Sequence, residues 1–477
     1  MPIQSIITNA LAILGTATIA LAEPKPNIIV FLVDDLGWGD MGCYGSTLHE
    51  TPNVDRLAKE GVRFTQGYAA CTVCSPSRAA ILTGQYPARL HLTDWIAGHN
   101  HAKAKLKVPD WKMHLDHSLT TLPEALKTRG YATAFFGKWH LMPNRQKELM
   151  PEHTPEKHGF DLNVGGREWG QPKGKGKYFY PWEMPGLEQG RTGDFLTDRL
   201  TTEANSWMDT VKGKPFLLYL SYYAVHGPIM TKPELRTQYQ AKLKAGDYPQ
   251  KNADYAGMIH SVDQSVGRVL ANLEKHGLSE NTLVIFTGDN GGDAETSSGG
   301  LRKRKGYSYE GGIREPFIIK WAGKAKPGTT NDTPVIGMDI YPTLLEAAGA
   351  VRPQGQACDG ISLVSLLQKG TPLERDSLYW HYPHYHRTRP YSAIRMGNWK
   401  LIRFHEEGNL ELYHLNKDPS ESSDLAATFP EKAKSLATQL DLWLKSVDAQ
   451  QMTPNPGYDP NAGRGGKKNR QNRQKKK

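Results

Sequence analysis

Four short apolar runs that end in polar residues constrain the fold more than any other feature of the sequence. Rich in β-branched and aromatic residues and without alternation, they are typical of strands buried on both faces of a mostly parallel sheet. The runs are Asn27 to Val33, Tyr131 to Phe136, Pro215 to Ser221 and Thr282 to Thr287. Helical patterns alternate with them at Asn53 to Glu60, Ser118 to Arg129, Phe195 to Val211 and Ala253 to His276. This alternation predicts an α/β fold.

The residues that follow the four runs are charged or able to bind metal. Because ligands bind beyond the carboxyl ends of strands in open α/β sheets, we expect these side chains to meet at one edge. They are Asp34, Asp35, Lys138, His140, His226, Asp289 and Asn290. Two neighbouring aspartates repel each other unless they share a cation. The carboxylates and the amide form an all-oxygen set, which suits Ca²⁺ or Mg²⁺ rather than zinc.

A second, smaller domain is expected after about Gly355, where a helix-rich stretch gives way to short aromatic strands. Short aromatic strands are predicted at Tyr391–Arg395, Trp399–Arg403 and Leu410–Tyr413, followed by an amphipathic helix from Lys432 to Val447. The chain is therefore predicted to hold a large mixed, mostly parallel sheet sandwiched by helices in residues 23–355. A smaller α+β subdomain with an antiparallel sheet would occupy residues 356–450.

The net charge of +10 belongs mainly to the end of the chain. Eight of the 59 Lys and Arg lie in the last 14 residues, and removing them leaves about +2 on the remainder. The body is nearly neutral, so no nucleic-acid partner is expected. Residues 451–477 are predicted to be a disordered basic tail because they carry too little apolar surface to offset the entropy of ordering. Loose contact of this tail with nucleic acid or an acidic surface polymer is the alternative.

The first 22 residues are predicted to be a signal peptide. An apolar run from Ile6 to Leu21 ends in the small-residue pattern Ala20-Leu21-Ala22, although no Lys or Arg precedes it. An uncleaved membrane anchor is the alternative, but the run is short for a bilayer span. A secreted or periplasmic protein without a stable membrane span is therefore expected.

The most specific motif runs from Cys71 to Gly84, with the sequence CTVCSPSRAAILTG. The Cys-x-Pro-x-Arg pattern at Cys74, Pro76 and Arg78, followed by Leu-Thr-Gly, resembles the signature of type I sulfatases, which belong to the alkaline phosphatase-like superfamily. A redox pair formed by Cys71 and Cys74 is the competing interpretation, but Pro76 and Arg78 have no place in that chemistry.

The resemblance extends over nearly the whole mature chain, and the overall pattern is similar to arylsulfatase A and galactosamine-6-sulfatase types. Asn27 to Asp35 is similar to the family's first strand with its metal aspartates, and Gly288 to Gly291 is similar to its second metal pair. Further segments that resemble family elements are Gly137 to His140, His226 to Pro228, Lys305 to Gly312 and Tyr413 to Pro419. The resemblance implies an alkaline phosphatase-like fold and the hydrolysis of a sulfate ester.

The family mechanism, carried over to this sequence, implies that a maturation enzyme oxidises Cys74 to formylglycine. One of its hydrated hydroxyls would attack sulfur beside a single Ca²⁺. The implied metal ligands are Asp34, Asp35, Cys74, Asp289 and Asn290. Lys138 and Lys305 would neutralise the sulfate together with Ca²⁺. His226, with Lys305, would protonate the leaving oxygen, His140 would act as base, and Arg78 would orient residue 74.

Several alternatives stay open at this point. Each lysine or histidine, taken alone, is an ordinary surface or turn residue, and Lys303 or Arg304 could replace Lys305. The scaffold could also hydrolyse phosphate or phosphonate esters, or bind sulfated glycan without catalysis if Cys74 stays unmodified. The partner is expected to be a sulfated small molecule or saccharide. Its pocket would be lined by residues 172–177, 179–191 and 381–391.

Overall fold

A computed structural model describes residues 25–99 and 101–460. The predicted signal peptide and the last 17 residues of the predicted tail lie outside them. The strands are β1 (Asn27–Val33), β2 (Val62–Tyr68), β3 (Leu106–Lys107), β4 (Ala132–Gly137), β5 (Leu162–Val164), β6 (Phe216–Tyr222), β7 (Thr282–Gly288), β8 (Arg314–Trp321), β9 (Thr329–Asn331), β10 (Val335–Ile336), β11 (Ser377–Tyr382), β12 (Tyr391–Met396), β13 (Trp399–Phe404), β14 (Leu410–His414) and β15 (Thr453–Pro454).

The helices occupy most of the long connections between strands. They are α1 (Pro52–Glu60), α2 (Cys74–Thr83), α3 (Pro87–Leu90), α4 (Leu122–Lys127), α5 (Leu196–Val211), α6 (Pro233–Ala245), α7 (Ala253–Lys275), α8 (Glu310–Ile313), α9 (Ile340–Ala347), α10 (Val364–Lys369) and α11 (Pro430–Ser446). Short 3-10 turns include Met150–His153 and Pro155–His158. No helix in the described part of the chain is both long and apolar enough to span a membrane.

The predicted large mixed sheet is confirmed. Eight of its nine strands lie in the order β10-β2-β8-β7-β1-β6-β4-β5, and β9 pairs with β2. Most pairs are parallel, but β8 runs antiparallel to both neighbours, β2 and β7. The four predicted strands are the adjacent β7, β1, β6 and β4, which brings their carboxyl ends to one edge.

Helices cover both faces of this sheet, as the apolar runs predict. In β1, Ile29, Phe31 and Val33 pack into one core with α1, α5 and α7. Ile28 and Leu32 face the opposite core, which includes α2, α4 and α9. Side chains of a strand alternate between faces, so a continuous apolar run is what burial on both faces requires.

One predicted helix is much shorter than the sequence pattern indicated. The helix expected over Ser118 to Arg129 spans only Leu122–Lys127. Thr121 and Glu124 form a capping box at its start, and Pro123 occupies the first turn. These residues are N-terminal signals, so the helix begins at this point and not at Ser118.

The C-terminal antiparallel sheet is also present, in the order β11-β12-β13-β14, and α11 packs against it. The strand β11 was not predicted. The expectation of disorder from residue 451 does not hold for residues 451–460, because β15 pairs with β3. Backbone pairing and Asn455 hold this segment, and neither depends on the apolar content from which disorder was predicted.

Candidate active site

The register of β1 and β7 brings the two acidic pairs together. Val33 and Gly288 are partners in the parallel ladder, so the residues that follow them are neighbours as well. The amide of Asp35 donates to Asp289 Oδ1 at 3.2 Å. Asp34 and Asp289 are fully buried. The structure therefore places the carboxylates of two distant segments at one sheet edge, as the sequence predicted.

The strands β6 and β4 bring a lysine to the same edge. Gly137 pairs with Ser221, and the amide of Lys138 then donates to the Ser221 carbonyl at 2.7 Å. Gly137 has φ +105°, and a Cβ there would lie 1.9 Å from that carbonyl oxygen, so this close approach requires glycine. The Lys138 Nζ donates to Asp34 Oδ2 at 2.6 Å and is buried with it.

Helix α2 presents the signature cysteine and arginine on one face. Cys74 is its first residue and Arg78 lies four residues later, so the two side chains are neighbours. Arg78 donates from Nε to Asp289 Oδ2 at 2.8 Å and from Nη1 to Ser221 Oγ at 2.6 Å. Nη1 also donates to the Lys138 carbonyl at 2.6 Å. Arg78 thus joins the ends of three strands beneath Cys74.

Lys305 reaches the site from the loop before α8. The Gly306 amide donates to Thr72 Oγ1 at 2.9 Å, which ties this loop to the segment before Cys74. Lys305 Nζ donates to Asp35 Oδ1 at 2.5 Å and lies 3.5 Å from Cys74 Sγ. Of the alternatives to Lys305, Lys303 instead has its Nζ over a tyrosine ring, 5.5 Å from the centroid.

His140 and His226 enter from the loops after β4 and β6. The Nε2 of His140 lies 2.5 Å from the carbonyl oxygen of Ile96, and because a carbonyl only accepts, Nε2 carries the proton. Its buried Nδ1 has no partner among the described residues and is left as an acceptor. His226 donates from Nδ1 to the carbonyl of Gly227 at 2.8 Å, so its Nε2 faces Asp35 Oδ2 at 3.7 Å.

Burial and charge shift the pKa of most of these groups. Burial lowers the pKa of His226 to about 4 and holds that of His140 well below its usual range, so both rings are neutral near pH 7. Burial raises the pKa of Asp34 despite the opposing charge of Lys138. Burial also favours the protonated form of Asp35, but Lys305 and the neighbouring cations outweigh it and lower that pKa.

The side-chain oxygens at this sheet edge are suitable ligands for a hard cation such as Ca²⁺ or Mg²⁺. Asn290 donates from Nδ2 to Asp35 Oδ1 at 2.8 Å, which turns its amide oxygen away from that contact. Asn290 Oδ1 and Asp34 Oδ1 are buried and accept no hydrogen bond within residues 25–99 and 101–460. Ligand atoms of Asp34, Cys74 and Asp289 lie within 4.8 Å of one another. Buried oxygens without donors are costly unless a cation coordinates them.

Two serines of the site were not predicted from the sequence. Ser221 accepts from Arg78 and donates to the Lys138 carbonyl at 2.8 Å. Ser75 donates to the His140 carbonyl at 2.8 Å and accepts from the Ile96 amide at 3.1 Å. Ser221 could have been predicted as a site residue, because it is a polar residue at the carboxyl end of an apolar strand.

Comparison with known proteins identifies the family. The family model described as Sulfatase matches residues 26–350. This chain belongs to the sulfatase family. A second model, the C-terminal region of N-sulphoglucosamine sulphohydrolase, matches residues 302–450 of the sulfatase. The resemblance stated from the motifs is therefore confirmed, and the protein is a sulfuric ester hydrolase.

Named relatives match most of the sulfatase. A sulfatase of Formosa agariphila is 34% identical over 89% of this chain and 88% of its own length. Mouse N-acetylgalactosamine-6-sulfatase is 33% identical, with 83% and 74% covered. Human arylsulfatase A is 32% identical, with 91% and 90% covered.

Solved structures share the alkaline phosphatase-like fold. Ps i-CgsB, in complex with k-i-k-neocarrahexaose, is 30% identical with a TM-score of 0.75, covering 90% of this chain and 94% of that chain. BT4656, in complex with its substrate D-glucosamine-2-N,6-O-disulfate, is 25% identical with a TM-score of 0.68, covering 89% and 98%.

Proposed function

We propose that this sulfatase hydrolyses a sulfate monoester on a saccharide, with formylglycine at position 74 as nucleophile and one Ca²⁺ in the site. One observation carries the proposal: the side chain of Cys74 faces the carboxylates of Asp34 and Asp289, while Lys305 Nζ lies 3.5 Å from its sulfur. A redox role for this cysteine is disfavoured because burial raises the pKa of its thiol.

The cation would be held by Asp34, Asp35, Asp289 and Asn290, together with residue 74. Bound there, Ca²⁺ supplies positive charge that favours an ionised hydroxyl and a negatively charged sulfate. Asp34 Oδ1 and Asn290 Oδ1 accept no hydrogen bond from the residues that the structure describes, which supports oxygen ligation at this position. Calcium is favoured over zinc because the aspartate and asparagine side chains supply oxygen ligands rather than imidazole nitrogen.

The charges of the site suit an anionic ester. The site contains three carboxylates and three basic groups, so their formal charges cancel. A bound divalent cation would therefore make the net charge of the site positive. These groups are Asp34, Asp35, Asp289, Arg78, Lys138 and Lys305. Lys138 and Lys305 are positioned before substrate arrives by their carboxylate partners, so they stabilise developing negative charge without rearrangement.

Two histidines would move protons at defined nitrogen atoms. His140 keeps its proton on Nε2 because Ile96 accepts it, so its Nδ1 can accept one from residue 74. His226 presents Nε2 to the site, and an anionic substrate favours the protonated ring that would donate to the leaving oxygen.

The rim of the site supports a saccharide substrate. The ring of Trp95 lies 6.5 Å from that of His140 and 5.0 Å from that of His99. His99 lies 5.1 Å from His386, which belongs to the segment 381–391 expected to line a sugar pocket. Aromatic and imidazole rings beside an anion site suit a sulfated sugar ring. Two structural neighbours are described in complex with saccharides, which agrees with this proposal.

We also propose that Cys74 is modified before folding and that the protein is exported. A formylglycine-generating enzyme would act on Cys74 before folding, since the side chain is 2% exposed in the folded chain. Export after cleavage of residues 1–22 would place the sulfatase outside the cytoplasm.

The test uses the full chain produced with and without a formylglycine-generating enzyme. Mass spectrometry of the Cys74 peptide measures conversion, and turnover of an aryl sulfate, an aryl phosphate and a panel of sulfated sugars measures specificity. We expect activity to follow conversion, to fall on chelation, and to return with Ca²⁺.

Matched variants separate the parts of this proposal. Cys74→Ala should bind Ca²⁺ more weakly and turn over nothing, whereas Asp289→Ala should carry formylglycine but respond little to Ca²⁺. Faster turnover of the phosphate than of the sulfate would favour a phosphate or phosphonate hydrolase. Full conversion without turnover of any ester would favour a glycan binder, and full activity after chelation would reject the cation.

A further inference from the structure

Four histidines form a cluster outside the catalytic site. The ring centroids of His117 and His158 are 4.5 Å apart, and those of His117 and His153 are 4.8 Å apart. His114 lies 4.1 Å from His153. We name these four residues the histidine cluster. It joins the loop at residues 114–117 to the two 3-10 turns at residues 150–158.

Hydrogen bonds fix the tautomers of two of the rings. His153 donates from Nδ1 to the carbonyl of Leu115 at 3.1 Å, and His117 donates from Nε2 to the carbonyl of Glu152 at 2.7 Å. Because each proton is committed to a carbonyl, the opposite ring nitrogen carries a lone pair. A backbone carbonyl behind the ring is the usual support of a metal-binding imidazole.

His158 is the strongest indication that a ligand belongs here. Its side chain is 1% exposed, and neither ring nitrogen has a partner among the residues that the structure describes. A buried imidazole without hydrogen bonds is unfavourable unless a ligand binds it.

We propose that His117, His153 and His158 bind a transition-metal ion of the Zn²⁺ type. One nitrogen from each lies within 4.8 Å of the other two. The rings of His117 and His158 are stacked, 5° from parallel. Coordination at about 2.0–2.1 Å therefore requires one ring to tilt and approach, which the exposed His117 permits. Imidazole selects zinc, copper or nickel, whereas the oxygen-rich catalytic site selects Ca²⁺. The two sites therefore differ in the metal they take.

A metal at this position would stabilise the loop that carries Lys138 and His140. Trp139 lies between Lys138 and His140 in sequence, and its Nε1 donates to the carbonyl of His153 at 2.9 Å. Its ring lies 5.7 Å from that of His158. A metal that links the loop at residues 114–117 to the turns at residues 150–158 would therefore restrain the residues against which Trp139 packs.

The test measures Zn²⁺ binding to the full chain in a Cys74→Ala background. That substitution removes the Cys74 thiol and all turnover, so the result does not depend on the proposed reaction. The protein is treated with chelator, refilled with Ca²⁺ and titrated with Zn²⁺ by calorimetry. We expect about one Zn²⁺ per chain, a raised Tm, and Co²⁺ absorption bands of nitrogen coordination when Co²⁺ replaces Zn²⁺.

Three variants decide the outcome. His117→Ala changes an exposed residue, and His158→Phe keeps the ring volume; each should weaken Zn²⁺ binding at least about tenfold and abolish the Tm shift. His276→Ala removes a histidine that pairs with Asp209 outside the histidine cluster and should change neither. The proposal is overturned if the parent chain binds no Zn²⁺, or if both cluster variants bind it as tightly as His276→Ala does.

Discussion

Arg78 places two nitrogens on a single oxygen of Asp289: Nε lies 2.8 Å and Nη2 2.7 Å from Oδ2. Within residues 25–99 and 101–460 the other oxygen, Oδ1, accepts just the longer bond from the Asp35 amide, at 3.2 Å. Arg78 therefore engages one oxygen of the carboxylate and leaves the other available to the proposed cation. It also limits the repulsion between Asp289 and Asp34, whose Oδ1 lies 3.8 Å from Nη2.

Replacing Arg78 should destabilise the fold as well as abolish activity. In Arg78→Ala the buried Asp289 and Asp34 lose a compensating charge, and we expect a loss of about 3–5 kcal/mol in the free energy of unfolding. Arg78→Lys should lose less, because it keeps the charge but cannot contact Ser221 and Asp289 together. Denaturant unfolding without divalent cations measures both. Equal stability of Arg78→Ala and the parent chain would contradict this role.

Ser221 should contribute through Arg78 and not through substrate. It accepts from Arg78 Nη1 at 2.6 Å and donates to the Lys138 carbonyl at 2.8 Å. Ser221→Ala should cost about 1.5–3 kcal/mol, the range for a hydrogen bond to a charged group. Ser261→Ala is a matched control, because that buried hydroxyl donates within its own helix, to the Gly257 carbonyl. An equal loss in both variants would mean that the Arg78 contact adds nothing.

Much of the catalytic site could be predicted because its residues follow apolar strands directly. The strand Asn27–Val33 was predicted with its exact bounds, and Asp34 and Asp35 come immediately after it. The pattern did not reveal which strands are neighbours, since pairing depends on contacts across hundreds of residues. The antiparallel β8 between β2 and β7 has an apolar pattern like that of a parallel strand, and the sequence does not distinguish the two.

Sites built from loops were much harder to predict. His114 and His117 stand more than thirty residues from His153 and His158. Each pair by itself looks like ordinary loop histidines, and only the fold brings the pairs together. Asn455 was assigned to a disordered tail because composition does not register hydrogen bonds to backbone carbonyls. The features that were missed are therefore those held by polar contacts distant in sequence.

The pH dependence of stability should contain a contribution from Glu421. Lys400 Nζ lies 2.9 Å from both Glu421 and Glu310, where the C-terminal sheet meets the catalytic domain. Burial raises the pKa of Glu421 from 4.5 to about 7, and the attraction of Lys400 only partly offsets this. Its contribution to stability is therefore fully present below about pH 4.5 and is lost as the pH rises through about 7.

Glu421→Gln isolates that contribution, because the amide keeps the size of the side chain but does not titrate. Between pH 4.5 and about 7 the parent should lose roughly 1–3 kcal/mol relative to the variant. Unfolding free energies measured at several pH values give the difference. The exposed Glu374 provides a control, and Glu374→Gln should run parallel to the parent. A difference between Glu421→Gln and parent that does not change with pH would reject the raised pKa.

Asn455 should hold the loop that supports the rim of the proposed sugar site. Its Nδ2 donates to the carbonyls of Ala102 and Ala104, at 3.0 and 2.6 Å, and the following strand β3 donates from the Leu106 amide to Tyr385 Oη at 3.0 Å. Asn455→Ala should weaken the loop by about 1 kcal/mol, which accelerates amide hydrogen exchange over residues 103–107 about fivefold. Gln451→Ala, which removes only a bond within its own segment, should leave that exchange unchanged. If both variants exchange at the parent's rate, the loop is held by the pairing of β3 with β15 alone.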